Sequence, residues 1–208
     1  MIGKTKAMVG ILVLASACTV GDVTRPTATT APPTVTSTVP PTATTSVNVI
    51  CSASNVEPDG ETETGLPEPV AEMRLAIIEE ALECNYERLA DLALAGRDEF
   101  TYSFDVEGDP AGHWREAENR GEPMMAILVA ILGMSWAQTE TQFETDVLTT
   151  IYVWPAAFAD NRSDADWEEV RDLYTEEEIA SMKEFVGYAG YRVEITIDGD
   201  WVGFVAGD

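Results

Sequence analysis

Cysteine is the first residue type whose number and spacing predict chemistry in this chain, which contains three copies. Cys18 ends an apolar N-terminal run and has a separate role, argued below, which leaves Cys51 and Cys84 as an even pair. In an oxidising compartment such a pair is expected to form a disulfide. The alternative is a buried free thiol at Cys84 and a solvent-exposed one at Cys51.

His113 is the only histidine, and it stands beside Trp114 in a predicted short helix. The chain has no Gly-x-Ser-x-Gly motif to present a nucleophile, and a disulfide would remove the thiol that a Cys–His pair needs. His113 is therefore a catalytic candidate with no evident partner, and a packed or surface position is the competing interpretation. One histidine and two paired cysteines also leave too few soft ligands for zinc. We expect no cofactor.

An acidic segment matches part of a calcium-binding loop. Asp105, Glu107, Asp109 and Glu116 fall at positions 1, 3, 5 and 12 of that spacing. Position 6, which requires glycine, is Pro110, so the match is incomplete. The four acids are candidate metal ligands, and the alternative is that Asp109 caps a helix while the others are solvated.

Aromatic residues form the third candidate site. If the fold leaves a pocket beside its sheet, these residues could line it: Tyr102, Phe104, Trp114 and Trp154. Aromatic residues on strands more often fill a core, so both interpretations stay open.

The charge of the chain excludes one class of partner. It has 12 basic and 37 acidic residues and a formal net charge of −25. Only one acid, Asp22, lies in the first 50 positions, so the negative charge belongs to the C-terminal part. Such a surface repels phosphate backbones, and nucleic acid is not expected as a partner.

The N-terminus has the form of an export signal. Two lysines precede an apolar run from Ala7 to Ala17, as in a secretory signal peptide. Residues 14–18, LASAC, resemble the lipobox of bacterial lipoproteins, in which a peptidase cleaves before a cysteine that receives diacylglycerol. This resemblance implies removal of residues 1–17 and membrane attachment through Cys18. Residues 15–17, ASA, also suit ordinary signal peptidase, which would release a soluble protein.

The remaining chain divides into a linker and a domain. Residues 18–65 are first rich in Thr and Pro and then acidic, which predicts a disordered linker. Residues 66–208 predict a single α+β domain with an N-terminal helical hairpin, an antiparallel sheet and a C-terminal β-hairpin. The predicted helices begin at Pro69 and at Tyr86 and span Asp109–Gly121, Met124–Leu132, Asp166–Leu173 and Thr175–Phe185. The predicted strands are Phe100–Phe104, Val147–Trp154 and the two arms of a hairpin from Tyr191 to Ala206.

Two further details of these elements are specified by the sequence. The first helix carries Arg74 on its predicted polar face, and Asn85 is predicted to cap the second. In the hairpin, Asp198 and Gly199 predict a two-residue type I′ turn. That turn would place Ile195 opposite Val202, and it would put Trp201 on the opposite face of the hairpin.

Two segments of the domain resemble known families. Residues 81–90, ALECNYERLA, with the aromatic segment that follows, resemble the start of nuclear transport factor 2-like domains. This resemblance implies a curved sheet that wraps a helix and forms a cone-shaped pocket. Residues 187–192 and 198–208 resemble uncharacterised exported bacterial domains, which imply no activity.

These observations predict an exported, lipid-anchored protein on the extracytoplasmic side of the membrane. The favoured function is a non-enzymatic binding or envelope-accessory module, with a small ligand or an envelope protein as partner. The alternative is a cell-envelope hydrolase that uses carboxylates or His113.

We predict that the Cys18→Ala variant leaves the membrane fraction, because it lacks the sulfur that would carry the lipid. Cell fractionation and immunoblotting measure the distribution. Thr19→Ala, which keeps the cysteine, is the control and should stay with the membrane. Equal distribution of Cys18→Ala and the unchanged protein would reject the anchor.

Overall fold

The computed structural model describes residues 51–57, 64–96, 100–104, 108–142, 148–160, 162–185 and 187–207. These residues form the predicted α+β fold, and all of them belong to one compact unit. The helices are α1 (Glu68–Leu82), α2 (Tyr86–Leu94), α3 (Pro110–Arg120), α4 (Met124–Leu132), α5 (Asp164–Glu169) and α6 (Glu176–Phe185). The strands are β1 (Ala137–Gln142), β2 (Leu148–Trp154), β3 (Tyr191–Thr196) and β4 (Trp201–Ala206). Short 3-10 turns span Ser52–Asn55, Ala156–Phe158 and Val170–Asp172. The predicted signal peptide, Cys18, Asp105 and Glu107 lie outside the described residues.

Local sequence signals set several helix boundaries. The Asp109 side chain caps α3 by accepting a hydrogen bond from the Ala111 N–H at 3.0 Å, and Gly121 ends the helix at φ +87°. Thr175 and Glu178 form the predicted capping box at the start of α6. The backbone hydrogen bond from Thr175, and then the bond from its hydroxyl, lower the pKa of Glu178. The helix predicted over residues 166–173 is instead α5 followed by a 3-10 turn.

The junction between α1 and α2 differs from the predicted cap. The Asn85 N–H donates to the Glu80 carbonyl at 2.9 Å, and the Cys84 N–H donates to the Ala81 carbonyl at 3.0 Å. These two bonds define a Schellman motif, in which Cys84 takes the left-handed position at φ +50°. The Asn85 side chain does not cap α2 and instead donates to the Glu80 carboxylate at 2.7 Å. A residue with a Cβ costs about 1 kcal/mol in this conformation, so Cys84 requires a compensating interaction.

The sheet is antiparallel, with its four strands in the order β1-β2-β3-β4. β1 is a polar edge strand whose sequence, AQTETQ, gives no apolar pattern, and sequence analysis missed it. The strand predicted at Phe100–Phe104 is wrong: within the described chain it contributes an isolated parallel bridge between Thr101 and Gly203. Phe100 is buried, so its aromatic character serves the core rather than a regular strand.

The β3–β4 hairpin has the predicted position but a different turn. The Thr196 N–H donates to the Asp200 carbonyl at 2.9 Å, and the Gly199 N–H donates to the Thr196 carbonyl at 2.9 Å. The loop therefore contains three residues, 197–199, instead of the predicted two. Gly199 has φ +89°, the positive value expected for the glycine of such a loop.

This turn changes which side chains of the hairpin face the core. Ile195 pairs with Trp201 instead of Val202, and an irregularity between residues 194 and 195 then restores the predicted pairing of Val193 with Phe204. Trp201 and Phe204 consequently share the core face, although an odd spacing of three normally separates side chains on a strand. The prediction that Trp201 lies on the opposite face is wrong because it omitted this bulge.

Large aromatic side chains fill the main core between the helices and the sheet. The Trp114 ring stacks on the Trp201 ring, with centroids 5.8 Å apart and an interplanar angle of 14°. Phe100 approaches Trp201 edge-on at 4.8 Å, and Phe204 lies 6.3 Å from Trp114. The burial of such rings and the geometry of their contacts stabilise a fold. This cluster therefore fixes α3 against β4.

A second, smaller apolar cluster involves α5 and α6. Trp167 and Tyr188 pack there with ring centroids 6.2 Å apart, together with Val170 and Ile179. The Tyr188 hydroxyl donates to a carbonyl of β3 at 2.7 Å, and burial raises the pKa of Tyr188. This cluster packs α5 and α6 against the 3-10 turn Ala156–Phe158 and against the segment that leads into β3.

We predict that Gly199→Ala destabilises the protein more than Gly121→Ala. Both glycines have nearly the same positive φ, +89° and +87°, so both substitutions cost about 1 kcal/mol of backbone strain. A Cβ at Gly199 would also lie 2.9 Å from the Pro69 carbonyl oxygen, whereas a Cβ at Gly121 has nothing within 4 Å. Urea unfolding should show that Gly199→Ala lowers the free energy of unfolding by about 1 kcal/mol or more beyond the loss caused by Gly121→Ala. Equal losses would contradict the close packing of the hairpin turn on α1.

Candidate functional site

Helix α4 is the element around which the candidate site is built. All nine of its residues are apolar, and six of them are buried. The ends of any helix leave backbone N–H and carbonyl groups without partners inside the helix. Pro123, at the start of α4, provides no side-chain cap. Partners must therefore come from other elements, because unsatisfied buried groups cost about 1–3 kcal/mol each.

At the N-terminal end of α4, Glu118 of α3 and Ser52 supply these partners. The Met125 N–H donates to Glu118 Oε1 at 2.8 Å, and the Ala126 N–H donates to Ser52 Oγ at 2.9 Å. The Ser52 hydroxyl and N–H in turn donate to the two oxygens of Glu118, at 2.6 and 3.0 Å. A buried carboxylate and a serine from two distant segments thus cap α4, and the negative charge also suits the helix dipole.

At the C-terminal end, Arg74 of α1 has the matching role. Its Nε donates to the Leu132 carbonyl at 2.9 Å, and the residue is buried with 5% of its surface exposed. The prediction that Arg74 lies on the polar face of its helix is wrong, because α4 covers that part of α1. A cation here complements the negative end of the α4 dipole.

The segment that carries Ser52 runs over α4, and we call residues 51–57 the strap. Ala53 is fully buried in the main core, and the Val56 N–H donates to the Ala53 carbonyl at 3.0 Å. The strap therefore packs with the domain, although sequence analysis assigned residues 18–65 to the linker. Its small apolar residues gave too little periodicity to distinguish it from a tether.

A disulfide fixes the first residue of the strap. Cys51 and Cys84 are bonded, with an S–S distance of 2.08 Å and a Cα–Cα distance of 5.7 Å, as the cysteine count predicted. The bond joins the strap to the end of α1, where Cys84 holds the left-handed position of the Schellman motif. Closing a loop of this length stabilises a fold by about 3–4 kcal/mol on the chain-entropy model.

A cleft of about 420 Å³ lies beside the C-terminal turn of α4. Its lining comes from α4 and the two residues after it, from the end of the strap, and from α5 with the 3-10 turn that follows. The lining residues are Val56, Glu57, Val129, Ala130, Gly133, Met134, Glu169 and Asp172. This volume falls within the range of small-molecule sites, which are about 300–1,000 Å³.

Three carboxylates give the cleft its charge. Glu169 accepts hydrogen bonds from the Ser135 N–H at 2.7 Å and from the Ser135 hydroxyl at 2.6 Å, so it also joins α5 to the segment after α4. Glu57 and Asp172 are exposed at the rim. Nothing in the printed sequence brings these three acids together, because they lie on the strap, on α5 and on a 3-10 turn.

Tyr86 of α2 lies in the electrostatic field of the α4 cap. Burial, and then the negative charge of Glu118, raise the pKa of Tyr86 to about 12. Arg115 lies over the Tyr86 ring, 5.3 Å from the centroid, and its positive charge acts to lower the pKa of Tyr86. The phenol therefore stays protonated at neutral pH.

The structure places His113 away from the cleft. The residue is half-buried on α3, and its ring meets the Tyr102 ring edge-on at 5.1 Å. Among the described residues, His113 makes no hydrogen bond to a carboxylate. This environment matches the packed-residue interpretation more closely than that of a general base, which needs a partner within hydrogen-bond reach.

The candidate calcium ligands that the structure describes do not form one site, and neither do the aromatic residues proposed to line a pocket. Asp109 caps α3, and Glu116 is exposed and pairs with Arg120 at 3.5 Å. Trp114 and Trp154 are fully buried core residues. The other two aromatic candidates are Tyr102, which is half-buried, and Phe104, which is 54% exposed. None of the four aromatic residues lines the cleft.

Sequence reasoning missed Glu118 and Arg74, although a signal for both exists. Glu118 follows Trp114 by four positions, and Arg74 follows Val70 by four, so each lies on the apolar face of its helix. A charge at such a position indicates a buried group with a dedicated partner. The groups that Glu118 and Arg74 bind are backbone atoms at the ends of α4, and backbone atoms give no signal in the sequence.

Within the described parts of the chain, no group of three or more His, Cys, Asp or Glu side chains has a metal-binding arrangement. No helix in those parts is long and apolar enough to cross a bilayer. Comparison with known protein families, characterised proteins and solved structures gives no match for this chain. The resemblance to nuclear transport factor 2-like domains stays a prediction.

We predict that Glu118→Gln lowers the free energy of unfolding by about 1–3 kcal/mol, because its amide NH2 would face a donor where an oxygen now accepts. Glu116→Gln, on the exposed side of the same helix, is the matched control and should change stability by less than about 0.5 kcal/mol. Urea unfolding with the disulfide intact measures both. A Glu118→Gln midpoint equal to that of the control would contradict the capping role.

Proposed function

We propose that this protein is an exported binding module that holds a ligand bearing a cationic group in the cleft beside α4. The observation that carries the proposal is the lining of the cleft, which combines apolar side chains with three carboxylates. Sites of this kind bind a hydrocarbon portion by burial and orient the ligand through a few polar groups. A small amine or guanidine suits this cleft, as does a lysine or arginine side chain of an envelope protein.

The charges of the cleft support a cation rather than an anion. Glu57, Glu169 and Asp172 all line it, and none of the described residues that line it is a lysine or arginine. The net charge of −25 on the whole chain adds an attractive field for a cationic ligand during its approach. An ammonium group would satisfy carboxylate oxygens that already lie beside apolar surface.

The competing class is a cell-envelope hydrolase that uses carboxylates or His113. The position of His113 on α3, packed against Tyr102 and outside the cleft, favours the binding class. Turnover of a cell-wall or glycan substrate by the purified protein, lost in His113→Ala, would overturn our proposal.

Export and anchoring belong to the same proposal. The Cys51–Cys84 disulfide is compatible with an exported protein, because disulfides persist in oxidising compartments. Acylation of Cys18 would attach the protein to the outer face of the membrane.

We predict that the full chain binds hexylammonium in the cleft more tightly than it binds hexanol, which has a similar hydrocarbon chain and no charge. Nuclear magnetic resonance titration should show shifts of the Ala130 and Gly133 amides. The Glu57→Gln and Asp172→Asn variants should each weaken hexylammonium binding about three- to tenfold, since each removes one attractive charge. Glu169 is left unchanged because it holds Ser135.

Glu116→Gln removes the same charge outside the cleft and serves as the control, with affinity within about twofold of the unchanged protein. Equal affinity for hexanol and hexylammonium would reject a cation site. Shifts that avoid the cleft amides would place any binding elsewhere and reject the proposal as well.

A further inference from the structure

The strap connects three features that are otherwise separate. At its start, Cys51 is bonded to Cys84. In its middle, Ser52 caps the start of α4, and Ala53 is buried in the main core. At its end, Val56 and Glu57 form a wall of the cleft. A change at the disulfide therefore reaches the cleft through at most six residues of chain.

We propose that the Cys51–Cys84 disulfide is a redox switch that fixes the strap and thereby forms the cleft. The inference deepens the proposed function and rests on it where it concerns ligand binding. Its structural part, the control of strap position by the disulfide, is independent of any ligand.

Few contacts hold the strap once the disulfide is open. Those that remain are the hydrogen bonds of Ser52, the packing of the Ala53 methyl group and the contact of the partly buried Val56 with the main core. A short segment with one small buried side chain belongs to the low-stability end of a fold, where local opening is easiest. The disulfide replaces the large apolar anchor that the strap lacks.

The remaining fold does not depend on the strap in the same way. The Trp114–Trp201 stack joins α3 to the sheet, and Arg74 joins α1 to the end of α4. We therefore expect reduction to release the strap while the helices and the sheet stay assembled. The first turn of α4 would lose its Ser52 cap, and the cleft would lose the wall that carries Glu57.

The chemistry of the switch is thiol–disulfide exchange with a dithiol protein of the exported compartment. One thiolate of that dithiol attacks Cys51 or Cys84 and forms a mixed disulfide, which releases the other cysteine as a thiolate that takes up a proton. The second thiol of the reductant then displaces the remaining cysteine. Two electrons and two protons pass to this chain, the S–S bond breaks, and the reductant becomes a disulfide. Both cysteines are partly exposed, so a reductant has access.

Hydrogen exchange of the full chain, measured residue by residue in the oxidised and the reduced state, tests the switch. Reduction should accelerate exchange of the Val56, Met125 and Ala126 amides by about tenfold or more. In the reduced protein, amides in β2 and β3 should stay more protected than these three, because they open only with the whole domain. An unchanged Val56 would overturn the proposal. Equal protection of Val56 and of the β2 and β3 amides in the reduced protein would also overturn it, because the strap would then open only with the whole domain.

The Cys51→Ser/Cys84→Ser double variant should exchange like the reduced protein and ignore reductant, which shows that the effect belongs to this bond. If the double variant fails to fold, the comparison of oxidised and reduced protein still decides the question. Ser52→Ala is the third variant. With the disulfide intact it should accelerate Ala126 but leave Val56 within about twofold, which separates the cap from the covalent anchor.

Hexylammonium binding in the two redox states tests the functional part. Affinity should fall by about threefold or more on reduction, because one wall and one carboxylate are released. If hexylammonium binds neither state, the proposed function fails while the exchange experiment still decides the strap. If it binds both states equally while Val56 is released, control of the cleft by the disulfide is rejected.

Discussion

The buried position of helix α4 is the constraint on which the other features of this fold depend. A helix that is apolar all round packs well in a core, but its terminal N–H and carbonyl groups then lie away from water and need partners. The chain meets this need with one charge at each end, Glu118 at the start and Arg74 at the end. Both charges also agree in sign with the helix dipole. The positions of α1 and α3 are thus linked to α4 by polar contacts as well as by apolar packing.

This requirement also explains the strap and its disulfide. Glu118 accepts hydrogen bonds from Ser52, so the cap of α4 is complete only when a segment before α1 lies across the helix. That segment has little apolar surface of its own, and the bond from Cys51 to Cys84 supplies the missing attachment. The same arrangement brings Glu57 to the cleft, which Glu169 and Asp172 also line. One short segment therefore completes the cap of α4 and also contributes a wall of the candidate ligand site.

The hairpin at the other end of the chain shows how a small local change controls a core. One additional loop residue and one bulge turn Trp201 towards Trp114, and the stacked pair then forms the contact between α3 and the sheet. Without the bulge, Trp201 would face away from Phe204 because strand side chains alternate. Trp114 and Trp154, two of the four aromatic residues proposed to line a pocket, are buried in the core, and the cleft forms instead beside the end of α4.

The sequence by itself determined the features that depend on neighbouring residues. Helix α4 has its predicted bounds, Asp109 caps α3, the box at Thr175 opens α6, and the cysteine count predicted the Cys51–Cys84 pair. Each follows from a local or compositional signal that needs no knowledge of the rest of the chain.

Only the tertiary structure decided the polar edge strand β1, the turn and bulge of the hairpin, the burial of Glu118 and Arg74, and the acidic cleft. These features arise between residues far apart in sequence, and their partners are often backbone groups, which every residue carries. A one-dimensional pattern has no signal for such a partner, because its identity is set by which elements pack together.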